Sequence, residues 1–177
     1  NNVALGYASL ADNTTGDNNV AIGYRTLNSN TSGSFNVAVG VDALLSNTTG
    51  IQNTAVGYQA LNNNTTNSNT AIGFQAGLNN TSGSITALGT RAGANNTTGL
   101  YNVAIGIEAI RDTSTGNQNT ALGHQSLRSN SIGNNSTAIG FQSLFNNTAS
   151  NNTAVGYQAG FSNTSGGITA LGYQALY

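Results

Sequence analysis

Ten side chains in this sequence are able to hold or exchange a proton charge near neutral pH, besides seven tyrosines. Asp12, Asp17, Asp42, Glu108 and Asp112 are the carboxylates, Arg25, Arg91, Arg111 and Arg128 the strong bases, and His124 the one imidazole. Acid–base or nucleophilic catalysis needs such groups to converge on one point. Scattered over 177 residues with no cysteine and no lysine, they form no metal-ligand spacing, no phosphate loop with its lysine and no Asp-rich calcium turn. We therefore expect no enzyme activity, no metal and no cofactor. A net charge of −1 gives no pull on nucleic acid or anionic lipid, and no apolar run of about 18 residues is present to insert into a membrane as a helix.

One other chemistry is written into the sequence, the Asn-x-Ser/Thr acceptor of N-linked glycans. It occurs fourteen times, and seven copies recur at one place in a repeat: Asn13, Asn30, Asn47, Asn64, Asn80, Asn96 and Asn163. If that place lies on an outer edge, the seven form a ladder able to solubilise a nearly uncharged chain. The competing explanation is chemical economy: Asn-Thr-x-Gly is good turn chemistry with or without sugar.

The elements that must position these groups come from that repeat. A marker glycine closes an Ala-(Val/Ile/Leu)-Gly triplet at Gly6, Gly23, Gly40, Gly57, Gly73, Gly89, Gly106, Gly123, Gly140, Gly156 and Gly172. The spacings run 17, 17, 17, 16, 16 and then repeat, so five coils make an 83-residue super-repeat and eleven coils fill residues 1–177 as a single array. Taking the glycine as position 0, −2 is always Ala, −1 always aliphatic, −3 Val or Thr, +1 mostly Tyr or Phe, +4 mostly Leu, and +7 to +10 mostly Asn-Thr-(Thr/Ser)-Gly. The alternation from −3 to +1 has the two-residue period of a strand. Such a unit has room for about two short strands and two turns and buries too little alone, so it must stack on its neighbours. The fold class predicted is all-β: a parallel β-solenoid or β-roll of eleven 16–17-residue coils, about 50 Å long at a strand spacing near 4.8 Å.

Three columns carry further expectations. Asn stands at −4 in eight coils and predicts an amide ladder, broken by Ile85 and Ile168, each of which follows a coil with glycine at +4 (Gly77, Gly160). The Ala/Gly strip has two explanations: a thin coil with no room for larger groups, or a groove that admits the backbone of a second chain. Charged residues at +2 (Arg25, Asp42, Arg91, Glu108), where Gln is commonest, are expected to be solvated. His124, at +1, stands in for an aromatic. The threonines at −3 share the aliphatic face and suit a half-buried ladder better than an ice-binding plane.

The stretches NNVAIGYRTL from Asn18, NTAVGYQAL from Asn53 and NTAIGFQAG from Asn69 resemble the head repeats of trimeric autotransporter adhesins, the YadA-like family, over essentially the whole chain. The resemblance implies a left-handed parallel β-roll, a homotrimeric rod and an adhesive surface. The coils are longer than the family's usual repeat, owing to the added Asn-Thr-Thr-Gly turn, and no neck, stalk or anchor accompanies them. The long turns are also similar to those of tail-fibre-like proteins. The expected function is a structural, extracellular fibre segment that self-associates into a homotrimer or filament, with a glycan coat where the acceptor triplets are used. The alternatives are an adhesin head binding surface or glycan ligands and a virion tail or surface fibre. Because both ends fall within a repeat, coils are expected to continue beyond them.

Overall fold

The computed structural model describes residues 1–177 and is a parallel β-solenoid without helices. Its eleven strands are β1 (Val3–Leu5), β2 (Val20–Ile22), β3 (Val37–Val39), β4 (Thr54–Val56), β5 (Thr70–Ile72), β6 (Ile85–Leu88), β7 (Asn102–Ile105), β8 (Thr120–Leu122), β9 (Thr137–Ile139), β10 (Thr153–Val155) and β11 (Thr169–Leu171). They form one sheet in chain order, each strand parallel to the next. The register advances by one coil per strand and keeps like on like: Ala4 faces Ala21, Ala55 faces Ala71, and Ala154 faces Ala170. The one-residue changes in coil length never disturb it, because they fall in the turn before the strand.

Each coil holds one short strand, not the two expected. The second apolar group, at +3 and +4, lies in a turn. The reason is backbone handedness. Positions +2 and +4 take left-handed φ in every coil, as at Gln59 (54°), Leu61 (49°) and even Ile110 (48°). That conformation costs an L-residue roughly 1–2 kcal/mol, and the cost is offset by stacking. With it, successive amides point along the rod axis and meet the neighbouring coil. Gly23 and Arg25 donate backward to the Leu5 and Tyr7 carbonyls, whereas Leu27, Ser29 and Thr31 donate forward to Ala43, Leu45 and Thr48. Of 103 backbone hydrogen bonds only 22 lie within the strands, so the turns carry most of the axial ladder.

The core is thin and made of small groups. The −2 alanines from Ala21 to Ala154 are fully buried, packed with the +3 alanines and the +4 residues Leu27, Leu44, Leu61, Ile110, Leu127 and Leu144. The Ala strip therefore faces inward. This rules it out as a groove for a second backbone and leaves the thin-coil explanation.

The breaks in the Asn ladder are repairs to this core. Gly93 leaves coil six without a +4 side chain, and Ile85 fills the gap: a Cβ built on Gly93 would lie 2.0 Å from Ile85 Cδ1. Ile168 likewise reaches toward Gly160, with its Cδ1 3.3 Å from the corresponding Cβ position. Ile85→Asn, although it installs the residue usual at −4, should cost about 2–4 kcal/mol through the cavity it opens. Gly93→Leu alone should also destabilise, by crowding Ile85. Together the two changes should recover at least half of the combined loss, since Leu at +4 fills the core of the other coils. Denaturant titration of the four chains measures this coupling, and strict additivity would refute the repair.

Candidate functional site

With Ala turned inward, period-two alternation turns −3, −1 and +1 outward. The outer face of the sheet is thus the apolar one, and Leu5, Ile72, Leu122 and Leu171 are exposed on it beside Val3 and Val37. The +1 aromatics stack along its edge with ring centroids 5.1–5.3 Å apart: Tyr7 on Tyr24, Tyr58 on Phe74, and Phe141 on Tyr157 on Tyr173. His124 takes its expected place in that row, exposed and edge-on to Phe141 at 5.4 Å. Stacking at one-coil spacing is a direct result of the repeat, because identical rings 4.8 Å apart along the axis fall into contact. The −3 threonines flank the aliphatic column and range from half-buried to exposed.

The +2 column is less solvated than expected. Gln75 donates to Gln59, Gln142 to Gln125, Gln158 to Gln142 and Gln174 to Gln158, at 2.8–3.0 Å. Ion pairs replace these amide bonds where the charges occur. Arg25 grips buried Asp42 with two 2.9 Å bonds. Glu108 accepts from Arg111 on Oε1 and from Gln125 and Arg128 on Oε2, at 2.9–3.1 Å. Left-handed +2 residues lean on the same residue of the next coil, which shields them.

Glu108 is held below the ordinary glutamate range, first by the Gln125 hydrogen bond and next by the charges of Arg111 and Arg128, against the opposing effect of burial. A carboxylate with a depressed folded pKa contributes stability above its unfolded pKa and loses it as pH falls through the folded value. Glu108→Gln is therefore expected to cost about 1 kcal/mol at pH 7. The gap between variant and parent should close as pH falls below about 4.3 and on through the lower folded pKa. Urea titrations at several pH values follow it.

The seven predicted acceptor asparagines do form a row, but it lines the inside of the turn. Asn30, Asn47, Asn64, Asn80 and Asn96 are fully buried, while Asn13 and Asn163 in the outermost turns are half-buried. Their Nδ2 groups close the turn, as where Asn30 donates to the Gly33 carbonyl and Asn80 to that of Gly83. They also link coils, Asn30 donating to Asn13, Asn47 to Asn30, and Asn96 to Asn80. A glycan on such a nitrogen would break these bonds. The asparagines exposed in the remaining acceptor triplets are Asn135, Asn146 and Asn151.

At −4 the ladder works through the backbone. Oδ1 of Asn19, Asn36 and Asn53 accepts from the N–H of the −4 residue one coil on, at 2.9 Å, and each Nδ2 bonds the turn at the far end of its own coil. Two buried oxygens are left without partners: Asn47 Oδ1, beside the first shortened turn, and Thr113 Oγ1, where Thr replaces the +7 asparagine. Comparison with protein-family models, curated proteins and solved structures returned no match for this chain.

Proposed function

We propose that the chain is a structural segment of an extracellular or virion-surface fibre, without catalytic activity, whose rods associate side by side as a homotrimer. The observation that carries this reading is the outward apolar sheet face. The −1 column is aliphatic and the +1 column mostly aromatic, while −3 is Thr in seven coils; the apolar part therefore falls within the range of the largest patch on ordinary monomers, about 300–600 Å², and the whole face covers on the order of 600 Å². It also approaches the roughly 800 Å² per partner of a stable interface. A chain of net charge −1 has little repulsion to keep such faces apart. The resemblance to trimeric adhesin heads supplies the number three.

Sedimentation equilibrium at micromolar concentration should give three times the chain mass of 17.9 kDa. Ile72→Lys with Phe74→Lys places two charges on the face without touching the core. It should yield a folded monomer, with an unchanged circular dichroism spectrum. A parent chain that sediments as a monomer overturns the association.

A further inference from the structure

Three of the four arginines stand together. Arg91, Arg111 and Arg128 share Glu108, while Arg111 also pairs with Asp112. Three cations against two carboxylates leave one positive charge over. It belongs to Arg91: both Glu108 oxygens are occupied by closer donors, and the Arg91 guanidinium lies 3.9 Å away with its side chain 48% exposed.

Beside it lies a hollow of about 270 Å³, lined by Gln75, Leu78, Arg91, Ala94, Asn95 and Arg111. It exists because position +5 carries Ala94 between Leu78 and Arg111, so one coil lacks the side chain its neighbours have. All six residues lie in turns, none in the sheet face. The wall offers two guanidinium groups, two carboxamides and a small apolar floor.

We propose that this hollow binds a sugar acid, a pyranose bearing one carboxylate. The single surplus charge matches a monoanion, and guanidinium forks match a planar carboxylate. Gln75 already donates to Gln59 and accepts from Arg91 Nε, and Asn95 donates to Asp112 and accepts from Asn79; each amide keeps one N–H and one lone pair for a ring hydroxyl, and Leu78 with Ala94 suits the ring's C–H face. The volume fits one monosaccharide and falls short of a drug-sized ligand. The site needs no partner chain, so it stands or falls separately from self-association.

The test is an NMR titration of the full chain with sodium glucuronate, with glucose and sodium acetate as comparisons. Saturable shifts at Arg91, Ala94, Asn95 and Arg111 are expected with glucuronate, and binding of glucose and acetate should be at least tenfold weaker. Arg91→Gln and Ala94→Leu install the residues found one coil earlier, at Gln75 and Leu78, so the coil keeps its fold. Each should weaken glucuronate at least tenfold. Absence of saturable shifts, equal affinity for acetate, or undiminished binding in both variants overturns the proposal.

Discussion

Gly57→Ala is expected to split the stack at its fourth coil. Gly57 has φ +131°, and a Cβ there would lie 2.5 Å from the Gly73 carbonyl oxygen and 2.8 Å from its carbon. Both obstacles are backbone in the middle of a ladder, so neither can rotate away. Backbone strain of about 1–3 kcal/mol adds to an overpacking cost of about 1–3 kcal/mol, and we expect a loss of about 4 kcal/mol in a denaturant titration. Amides of the fourth and fifth coils should lose hydrogen-exchange protection first, because a solenoid coil is stabilised chiefly by its neighbours. Gly172→Ala separates the two causes. Gly172 has φ +122° but nothing within 4 Å of the added carbon, so it carries the strain without the clash. Equal losses at the two positions would remove the clash from the explanation.

The second large effect is expected at a polar side chain. Asn53 is fully buried; its Oδ1 accepts from the Asn69 backbone at 2.9 Å and its Nδ2 donates to the Thr66 carbonyl at 2.8 Å. Asn53→Leu keeps the volume and removes both bonds, together with the 3.1 Å bond from Asn69 Nδ2 to the same oxygen; it strands the buried Asn69 N–H, while the Thr66 carbonyl keeps its 2.9 Å bond from Asn64 Nδ2. At about 1–3 kcal/mol for the abandoned N–H and about 1 kcal/mol for each of the other two lost bonds, the loss should be on the order of 4 kcal/mol. That equals the largest core truncations, although the new residue is more hydrophobic. Exchange of the Asn69 amide should accelerate in step. A loss under about 1 kcal/mol would mean that the amide ladder only decorates the coil. Asn146→Leu, at an exposed acceptor triplet, serves as the near-neutral control.

Much of the fold is legible in the sequence, because a strict spacing leaves one way to stack. Period-two alternation from −3 to +1 marks the strand, and the invariant Ala identifies a face with no room. Which face is inside is less legible. Val, Leu and Tyr ordinarily indicate a core, yet in a coil this narrow the +4 leucines already fill the interior and only Ala fits on the strand that packs with them. The same geometry turned Asn47 and Asn64 from an expected outer edge to the lining of their turns. The left-handed residues at +2 and +4 gave no signal, since Gln and Leu are not the types that favour positive φ. The spacing associates Ile85 with Gly77 in the coil before it, whereas the side chain fills the gap at Gly93 in its own coil; only the side-chain positions distinguish the two. The hollow at Ala94 depends on three coils at once, and no single repeat reveals it.

The direction of the turn hydrogen bonds has a mechanical consequence. Nearly every bond between coils lies along the rod axis, and the chain enters at one end and leaves at the other. Tension on the termini therefore loads the coils in series and peels them one at a time at low force. Strain applied across the rod meets whole ladders sheared in parallel. A single rod is weak under its own axial pull. Lateral contacts with other rods would convert that peel into shear and let a bundle bear tension that one rod cannot.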